Sequence, residues 1–316
     1  MAKLEQRVKC IERMKNFIDI KHISKEEILN LIQKAIKRKN SPTERISNFA
    51  QNKVLALIFE KQSTRTRLSF DIAMKQIGGS SINMDMNGMH LGNGTESLSD
   101  TAKVLSLYVD AAVLRVNKHN ALLEIARNSS IPIINGLSDI SHPCQTMAGL
   151  MTLMEIKKTL TNLNLVWLGP ITNVAHSWIE AFMKNLGFSL KIICPNESKE
   201  IYEKKCNEYA IDLPKENIIL SDLSEEILNT ADAILTDAWV SMGEEGSDSY
   251  IDKLKDYRVR ESIMKKTKNG CTFMHCLPVN RNQEVEASVI DGPSSSVWLE
   301  AENRLHIQKE ILLDCL

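Results

Sequence analysis

Five short stretches combine residue types that bind anions, polarise carbonyls or hold an ammonium group. The first is Glu60-Lys61-Gln62-Ser63-Thr64-Arg65-Thr66-Arg67, directly after the apolar run Val54–Phe59. Hydroxyls, free backbone N–H groups and arginines at a helix start suit a phosphate, because dipole, donors and charge all favour an anion there. The same residues also fit a capped helix with solvated arginines. Arg115 is a charge inside the apolar run Ala111-Ala112-Val113-Leu114-Arg115-Val116, either a snorkelling edge residue or a ligand. In Ser141-His142-Pro143-Cys144-Gln145, proline suits a first helical turn, and His142 and Gln145 stand three apart, where both can face one small polar ligand. Asp237, opening Asp-Ala-Trp-Val-Ser241-Met242-Gly243, either holds a ligand ammonium or closes a turn. Cys276, in His275-Cys276-Leu277-Pro278, is either a nucleophile or a small buried apolar residue, and Cys144 is read as packing.

The elements that must position these stretches follow from periodicity and punctuation. Two helices are expected first, over 4–18 and 25–38, the second opened by the capping box Ser24-Lys25-Glu26-Glu27. Strands are expected at 54–59, 81–86, 110–116 and 131–135, with helices at 66–77, 97–108 and 120–129. Gly78-Gly79 stops the first of these helices. A long helix over 144–158 bridges to a second series, with strands at 164–169, 190–194, 217–220, 233–237 and 272–276. Its helices fall at 173–186, 198–209 and 223–230, and a final helix runs over 301–315. Strand–helix alternation implies parallel sheets covered on both faces. The fold class is therefore α/β, with two doubly wound parallel-sheet domains and bridging helices. The expected division is 1–145 plus the C-terminal helix 299–316, and 146–298. Ligands of such sheets sit beyond the carboxyl ends of strands, where all five stretches fall.

Composition excludes several functions. A chain of 316 residues, 43% hydrophobic and 25% charged, fits a soluble protein of about two domains. Lys+Arg 39 against Asp+Glu 40 leaves a net charge of −1, without the basic excess that nucleic acid requires. No apolar run approaches the ~18 residues of a membrane span, and Met1-Ala-Lys-Leu-Glu-Gln-Arg has no signal-like core. The seven cysteines, odd in number and without a CxxC pair, point to reduced thiols in a cytoplasm and not to zinc.

Ser63-Thr-Arg-Thr-Arg67, His142-Pro-Cys-Gln145, Asp237-Ala-Trp-Val-Ser-Met-Gly243 and His275-Cys-Leu-Pro278 occur in the order and approximate spacing of the aspartate/ornithine carbamoyltransferase family. The chain resembles its ornithine branch over essentially its whole length, including Glu300-Ala-Glu-Asn-Arg304. The resemblance implies transfer of a carbamoyl group from carbamoyl phosphate to the δ-amine of L-ornithine, giving L-citrulline and phosphate, without metal or organic cofactor. It makes the first domain the carbamoyl phosphate-binding one and the second the ornithine-binding one. Ser63, Thr64, Arg65 and Thr66 would hold the phosphate, and Arg115, His142 and Thr66 the carbonyl oxygen. Gln145, with backbone carbonyls around Cys276 and Leu277, would orient the carbamoyl nitrogen, and Arg304 would add a phosphate or carbonyl contact. Asp237 would pair the α-ammonium of ornithine, while Asn173 and the backbone near Ser241 and Met242 would hold its carboxylate. Asp237 and Cys276 are the candidates for assisting deprotonation of the attacking amine. The Ser241-Met-Gly loop would close over the amino acid. His90 would reach into the neighbouring subunit's site, implying a homotrimer.

The family usually carries Gly-Asp-Gly-Asn-Asn where this chain has Gly169-Pro170-Ile171-Thr172-Asn173. Proline fixes φ and cannot donate, so a reshaped turn and weaker ornithine capture are expected. Other members of the family would use aspartate, N-acetylornithine or putrescine. Aspartate transferases would lack His275-Cys-Leu-Pro278, and acceptors without a free α-ammonium would not need Asp237. A non-catalytic binding paralogue is the reading from another class, with Pro170 as its only support.

Overall fold

A run such as Val54-Leu-Ala-Leu-Ile-Phe59 is apolar at every position, and a strand buries all of it only when both sheet faces are covered. The computed structural model describes residues 16–41, 43–61, 63–85, 96–212, 218–240 and 248–316. Within these, two compact units are formed, one by residues up to Met147 with Arg304–Leu316, the other by Ala148–Asn303. The division falls inside the helices Pro143–Lys157 and Val297–Cys315.

The first unit contains a parallel sheet of four strands, β1 (Val54–Phe59), β2 (Ser80–Asp85), β3 (Ala111–Arg115) and β4 (Ile133–Leu137), in the order β2-β1-β3-β4. Helices Thr64–Gln76, Leu98–Tyr108 and His119–Asn128 connect them. One core cluster joins Ala56 and Ile58 of β1 and Ala112 and Leu114 of β3 to Leu105, Leu122 and Ile125 of the helices. Ser24 and Glu27 form the expected capping box at the start of Lys25–Asn40, with the Glu27 N–H 3.2 Å from Ser24 Oγ. Gly78 follows the Thr64–Gln76 helix at φ 90°, and a Cβ there would lie 2.8 Å from Asn48 Cα.

The second unit contains a five-stranded parallel sheet, β5 (Asn164–Leu168), β6 (Ser189–Ile193), β7 (Ile219–Leu220), β8 (Ala233–Thr236) and β9 (Thr272–His275), in the order β7-β6-β5-β8-β9. Val166, Leu168, Ile234 and Phe273 of its strands share one core with Leu228, Val289 and Ile290.

Both orders reverse direction once, between β1 and β3 in the first sheet and between β5 and β8 in the second. Crossover connections leave on opposite faces there, which opens a crevice at the strands' carboxyl ends. Ser63 follows β1 and Arg115 ends β3; Thr172 follows β5 and Asp237 follows β8. The stretches of Ser63, Arg115 and Asp237 thus fall at the switch points, and those of His142 and Cys276 follow the neighbouring strands β4 and β9.

Three local differences from the sequence reading have physical causes. Of the helix expected over 4–18, residues 1–15 lie outside the described part, and 16–18 are extended. Phe17 bridges Ile134 in parallel, its N–H 2.9 Å from the Ile133 carbonyl, so strand pairing overrides the local pattern. The strand expected at 131–135 runs over Ile133–Leu137, because Pro132 has no N–H to give a ladder. Short helices at Asp248–Leu254, Glu261–Met264 and Ala287–Ile290 lack the length that makes periodicity visible. No helix of the described residues is long and apolar enough to cross a membrane.

Candidate active site

In the first unit the carboxyl ends of β1, β3 and β4 gather a cationic group. Ser63 is the N-cap of Thr64–Gln76, yet its side chain makes no capping bond. Its hydroxyl accepts instead from Arg115 Nη1 at 3.2 Å, in a buried contact. The hydroxyl at this helix start is therefore held by a guanidinium and does not cap the first turn, an arrangement suited to an anion. Thr64 is exposed, Arg65 is half-buried and Thr66 is buried. Arg67 turns away from this role, its guanidinium 5.4 Å from the centroid of the Phe59 ring.

Arg304 arrives from the last helix. Its Nη1 donates to Gln145 Oε1 at 2.7 Å and its Nη2 to Thr66 Oγ1 at 3.1 Å, both buried contacts. His142 is buried, and burial, followed by the charges of Arg304, Arg115 and Arg65, holds its pKa well below the ordinary imidazole value. At neutral pH it is a neutral ring among three guanidiniums. A neutral imidazole can donate one hydrogen bond to a carbonyl oxygen without taking a proton. Cys144 beside it is fully buried and its thiol is pushed up to about 12 by desolvation, which fits packing.

In the second unit Asp237 and Cys276 come together although 39 residues separate them. β8 and β9 are parallel neighbours with Thr236 opposite His275, so the next residue of each strand lies at the same sheet end. Cys276 Sγ donates to Asp237 Oδ1 at 2.7 Å, and the Ala238 N–H donates to the same oxygen at 2.7 Å. The thiol hydrogen is directed at the carboxylate, the arrangement of a donor and not of a thiolate nucleophile. Leu277 has φ 56° and precedes a cis bond to Pro278.

Asn173 is the first residue of the helix Asn173–Met183, capped by Thr172, whose hydroxyl accepts from the Ala175 N–H at 3.4 Å. The preceding turn is tied down at several points. The Pro170 carbonyl accepts from Trp167 Nε1 and from the Thr172 N–H, each at 3.0 Å, and the Ile171 N–H donates to Ser198 Oγ at 2.8 Å. His90, Ser241 and Met242 lie outside the described residues.

Behind the motif residues stand supports, Glu284 and Thr236, whose part a sequence reading does not find. His275 Nδ1 accepts the Leu277 N–H at 2.9 Å, and its Nε2 lies 3.4 Å from Glu284 Oε1. Glu284 Oε1 also takes the Asn280 N–H, so one fully buried carboxylate braces the turn after Cys276. Thr236 Oγ1 donates to the Leu168 carbonyl at 2.5 Å and ties the ends of β8 and β5.

Residues 15–155 match the carbamoyl-P binding domain of aspartate/ornithine carbamoyltransferases, and residues 161–315 match the Asp/Orn binding domain of the same proteins. An ornithine carbamoyltransferase of Rhizorhabdus wittichii is 46% identical over 263 residues, 83% of each chain. One of Bradyrhizobium diazoefficiens is 42% identical over 303 residues, 95% of this chain and 97% of the relative. Among solved structures, ornithine carbamoyltransferase from Pyrococcus furiosus superposes with a TM-score of 0.82 at 36% identity, covering 95% of this chain and 96% of the other. The anabolic ornithine carbamoyltransferase from Campylobacter jejuni gives 0.82 at 34% identity, covering 95% and 98%. The fold is that of a two-domain α/β transferase. The chain belongs to the aspartate/ornithine carbamoyltransferase family.

Proposed function

We propose that the chain transfers the carbamoyl group of carbamoyl phosphate to the δ-amine of L-ornithine, giving L-citrulline and phosphate. The observation that carries this reading is the set of three guanidiniums around one neutral imidazole at the first switch point. Ser63, Thr64, Arg65 and Thr66 bind the phosphate at a helix start, where dipole and charge act together. Arg115 and the neutral N–H of His142 bond the carbonyl oxygen, on which negative charge grows as the amine adds. Gln145 orients the carbamoyl nitrogen, and Arg304 fixes Gln145 while adding positive charge. The nitrogen lone pair of the δ-amine forms the new C–N bond, the C–O bond to phosphate breaks, and the amine loses one proton. An alkylammonium has a pKa of ~10.4, so the neutral amine is scarce at pH 7 and its deprotonation needs help. Asp237 pairs the α-ammonium, with Asn173 and the Ser241–Met242 segment on the carboxylate, and Asp237 with Cys276 carries the departing proton.

The relatives' names support ornithine as acceptor. Citrulline formation measured with ornithine, putrescine, N-acetylornithine and aspartate in competition tests it; preferred use of any acceptor but ornithine overturns it. A homotrimer with His90 shared between subunits belongs to the same reading. Leu68 and Ile72, one helical turn apart, and Ile82 on edge strand β2 are 52%, 40% and 50% exposed in the first unit, which favours contact with a second copy. Light scattering of the purified chain checks it. A cytoplasmic location completes the reading, supported by six described cysteines that are all free thiols.

A further inference from the structure

Four buried polar residues from three separate elements meet at the loop that leads into His142. Asp19, His119, Ser138 and Ser141 are 1%, 3%, 0% and 0% exposed. His119 Nε2 lies 3.3 Å from Asp19 Oδ2, and its Nδ1 is 2.9 Å from Ser138 Oγ. Ser138 Oγ accepts the Ser141 N–H at 3.2 Å, and the Ser138 N–H donates to the Ser141 carbonyl at 2.9 Å. The Ser138 hydroxyl is thus shared between the His119 ring and the Ser141 backbone, and His119 links it to the Asp19 carboxylate. Lys21 and His22 also face that carboxylate, at 3.8 and 3.6 Å, from the surface side.

The fold explains how these residues meet. Phe17 pairs with the free edge of β4, and Asn135 Nδ2 holds the Ile18 carbonyl at 2.9 Å, so Asp19 is delivered to the end of that strand. His119 opens the helix that follows β3, four residues after Arg115. Ser138 and Ser141 bound the short loop from β4 to His142. Burial opposes the charge on Asp19, and neighbouring His119 and Lys21 outweigh it, so its carboxyl stays below the usual range. Deep burial of a carboxylate is costly unless its charged neighbours stay in place, so the group is stable in few arrangements. Ser138 is fully buried, so this serine–histidine–aspartate order is no hydrolytic triad.

We propose that Asp19, His119 and Ser138 are positioning residues for His142: together they tie the loop Ser138–Ser141 that leads into His142 and fix where its imidazole meets the carbamoyl oxygen. This rests on the carbamoyl-transfer reading given above. A displacement of ~1 Å at a group that acts in the transition state costs up to ~10² in rate, with less effect on ground-state binding.

The test is a double-substitution cycle against His142, with kcat per folded protein and the KM for carbamoyl phosphate as readouts. Asp19→Ala is expected to lower kcat about 10- to 10²-fold and to raise that KM by less, because the phosphate contacts lie elsewhere. In a His142→Ala background the same change is expected to cost less than about twofold. Ser138→Ala removes the one hydroxyl that meets His119 and takes the Ser141 N–H; it serves where Asp19→Ala does not fold and should lower kcat several-fold, again only while His142 is present. Losses that multiply in the double variants overturn this positioning role and leave carbamoyl transfer standing, as does full turnover in folded Ser138→Ala. An unchanged kcat in His142→Ala alone overturns both.

Discussion

Arg304 and Gln145 are 159 residues apart in sequence and 2.7 Å apart in the structure, guanidinium to amide oxygen. The contact joins the last helix of the chain to the helix that opens after His142. A second branch of the same guanidinium reaches Thr66 at 3.1 Å. With the Gln308 amide turned so that both its ends are satisfied, its oxygen faces Arg304 Nη2 and Nε at 3.0 and 3.1 Å. Arg304 is thus a planar fork fixed on several sides. Lysine offers a point charge in its place. Arg304→Lys is expected to lower kcat/KM for carbamoyl phosphate at least about tenfold while the protein stays folded, since the charge is kept and the fork is lost. Steady-state kinetics beside a thermal melt checks this.

Arg65 differs, being half-buried and one of three positive charges near His142. Arg65→Ala removes a phosphate partner without opening the core. The expected loss in kcat/KM for carbamoyl phosphate is ~10²–10³-fold. A fall below tenfold would assign the phosphate elsewhere.

Legibility from sequence followed the range of the forces involved. Strands such as Val54–Phe59 announce themselves because burial on both faces demands apolar residues throughout. Ser63, Arg115, His142 and Asp237 were legible because ligands sit where strands end. Their supports were not. Asp19 reaches His119 only through pairing of Phe17 with β4, and Glu284 takes the Asn280 N–H beyond Cys276 from the far side of the turn; neither meeting follows from local geometry. Ser63 looked like a cap, and only its bond to Arg115 shows that the hydroxyl is used otherwise.

The thiol of Cys276 donates to Asp237, which gives it the role of a polar neighbour and not of a covalent carrier. Cys276→Ala should keep kcat within about tenfold, whereas Asp237→Asn should cost ~10² or more in kcat/KM for ornithine, because a charge-assisted pair in a partly buried site is lost. Rapid mixing with carbamoyl phosphate alone should show no burst of phosphate release in the unaltered protein. A burst proportional to enzyme would identify a carbamoyl-thioester and reverse the assignment.

His142 also makes acid stability predictable. Its pKa is depressed in the folded protein, while in the unfolded chain it returns to ~6.5. Between the two values the unfolded state binds more protons, so this group's contribution is fully present above ~6.5 and falls as pH drops below it. The urea midpoint should therefore decline from about pH 6.5 downward. His142→Asn, which cannot titrate there, should flatten that part of the profile. Equal slopes for both proteins would place the acid sensitivity in other groups.

The turn from Gly169 to Asn173 is where sequence and structure make different demands. Family resemblance favours Asp-Gly-Asn at 170–172 and expects better ornithine capture from it. The structure gives Pro170-Ile171-Thr172 three bonds of its own: Trp167 Nε1 and the Thr172 N–H on the Pro170 carbonyl, and the Ile171 N–H on Ser198. Thr172 caps the helix and places Asn173 at its first position, a task that asparagine at 172 would also perform. Glycine at 171 adds freedom to the unfolded chain, and loss of Pro170 adds more, each worth ~0.4–1 kcal/mol. Replacing all three residues is therefore expected to lower stability by ~1–2 kcal/mol. The KM for ornithine should stay within about twofold, since the cap and Asn173 survive, and the KM for carbamoyl phosphate should not change. Urea unfolding and both Michaelis constants of the triple variant decide the matter. A clear fall in the ornithine KM would mean that the native turn holds Asn173 poorly despite its bonds, and that the resemblance is the better guide at these three positions.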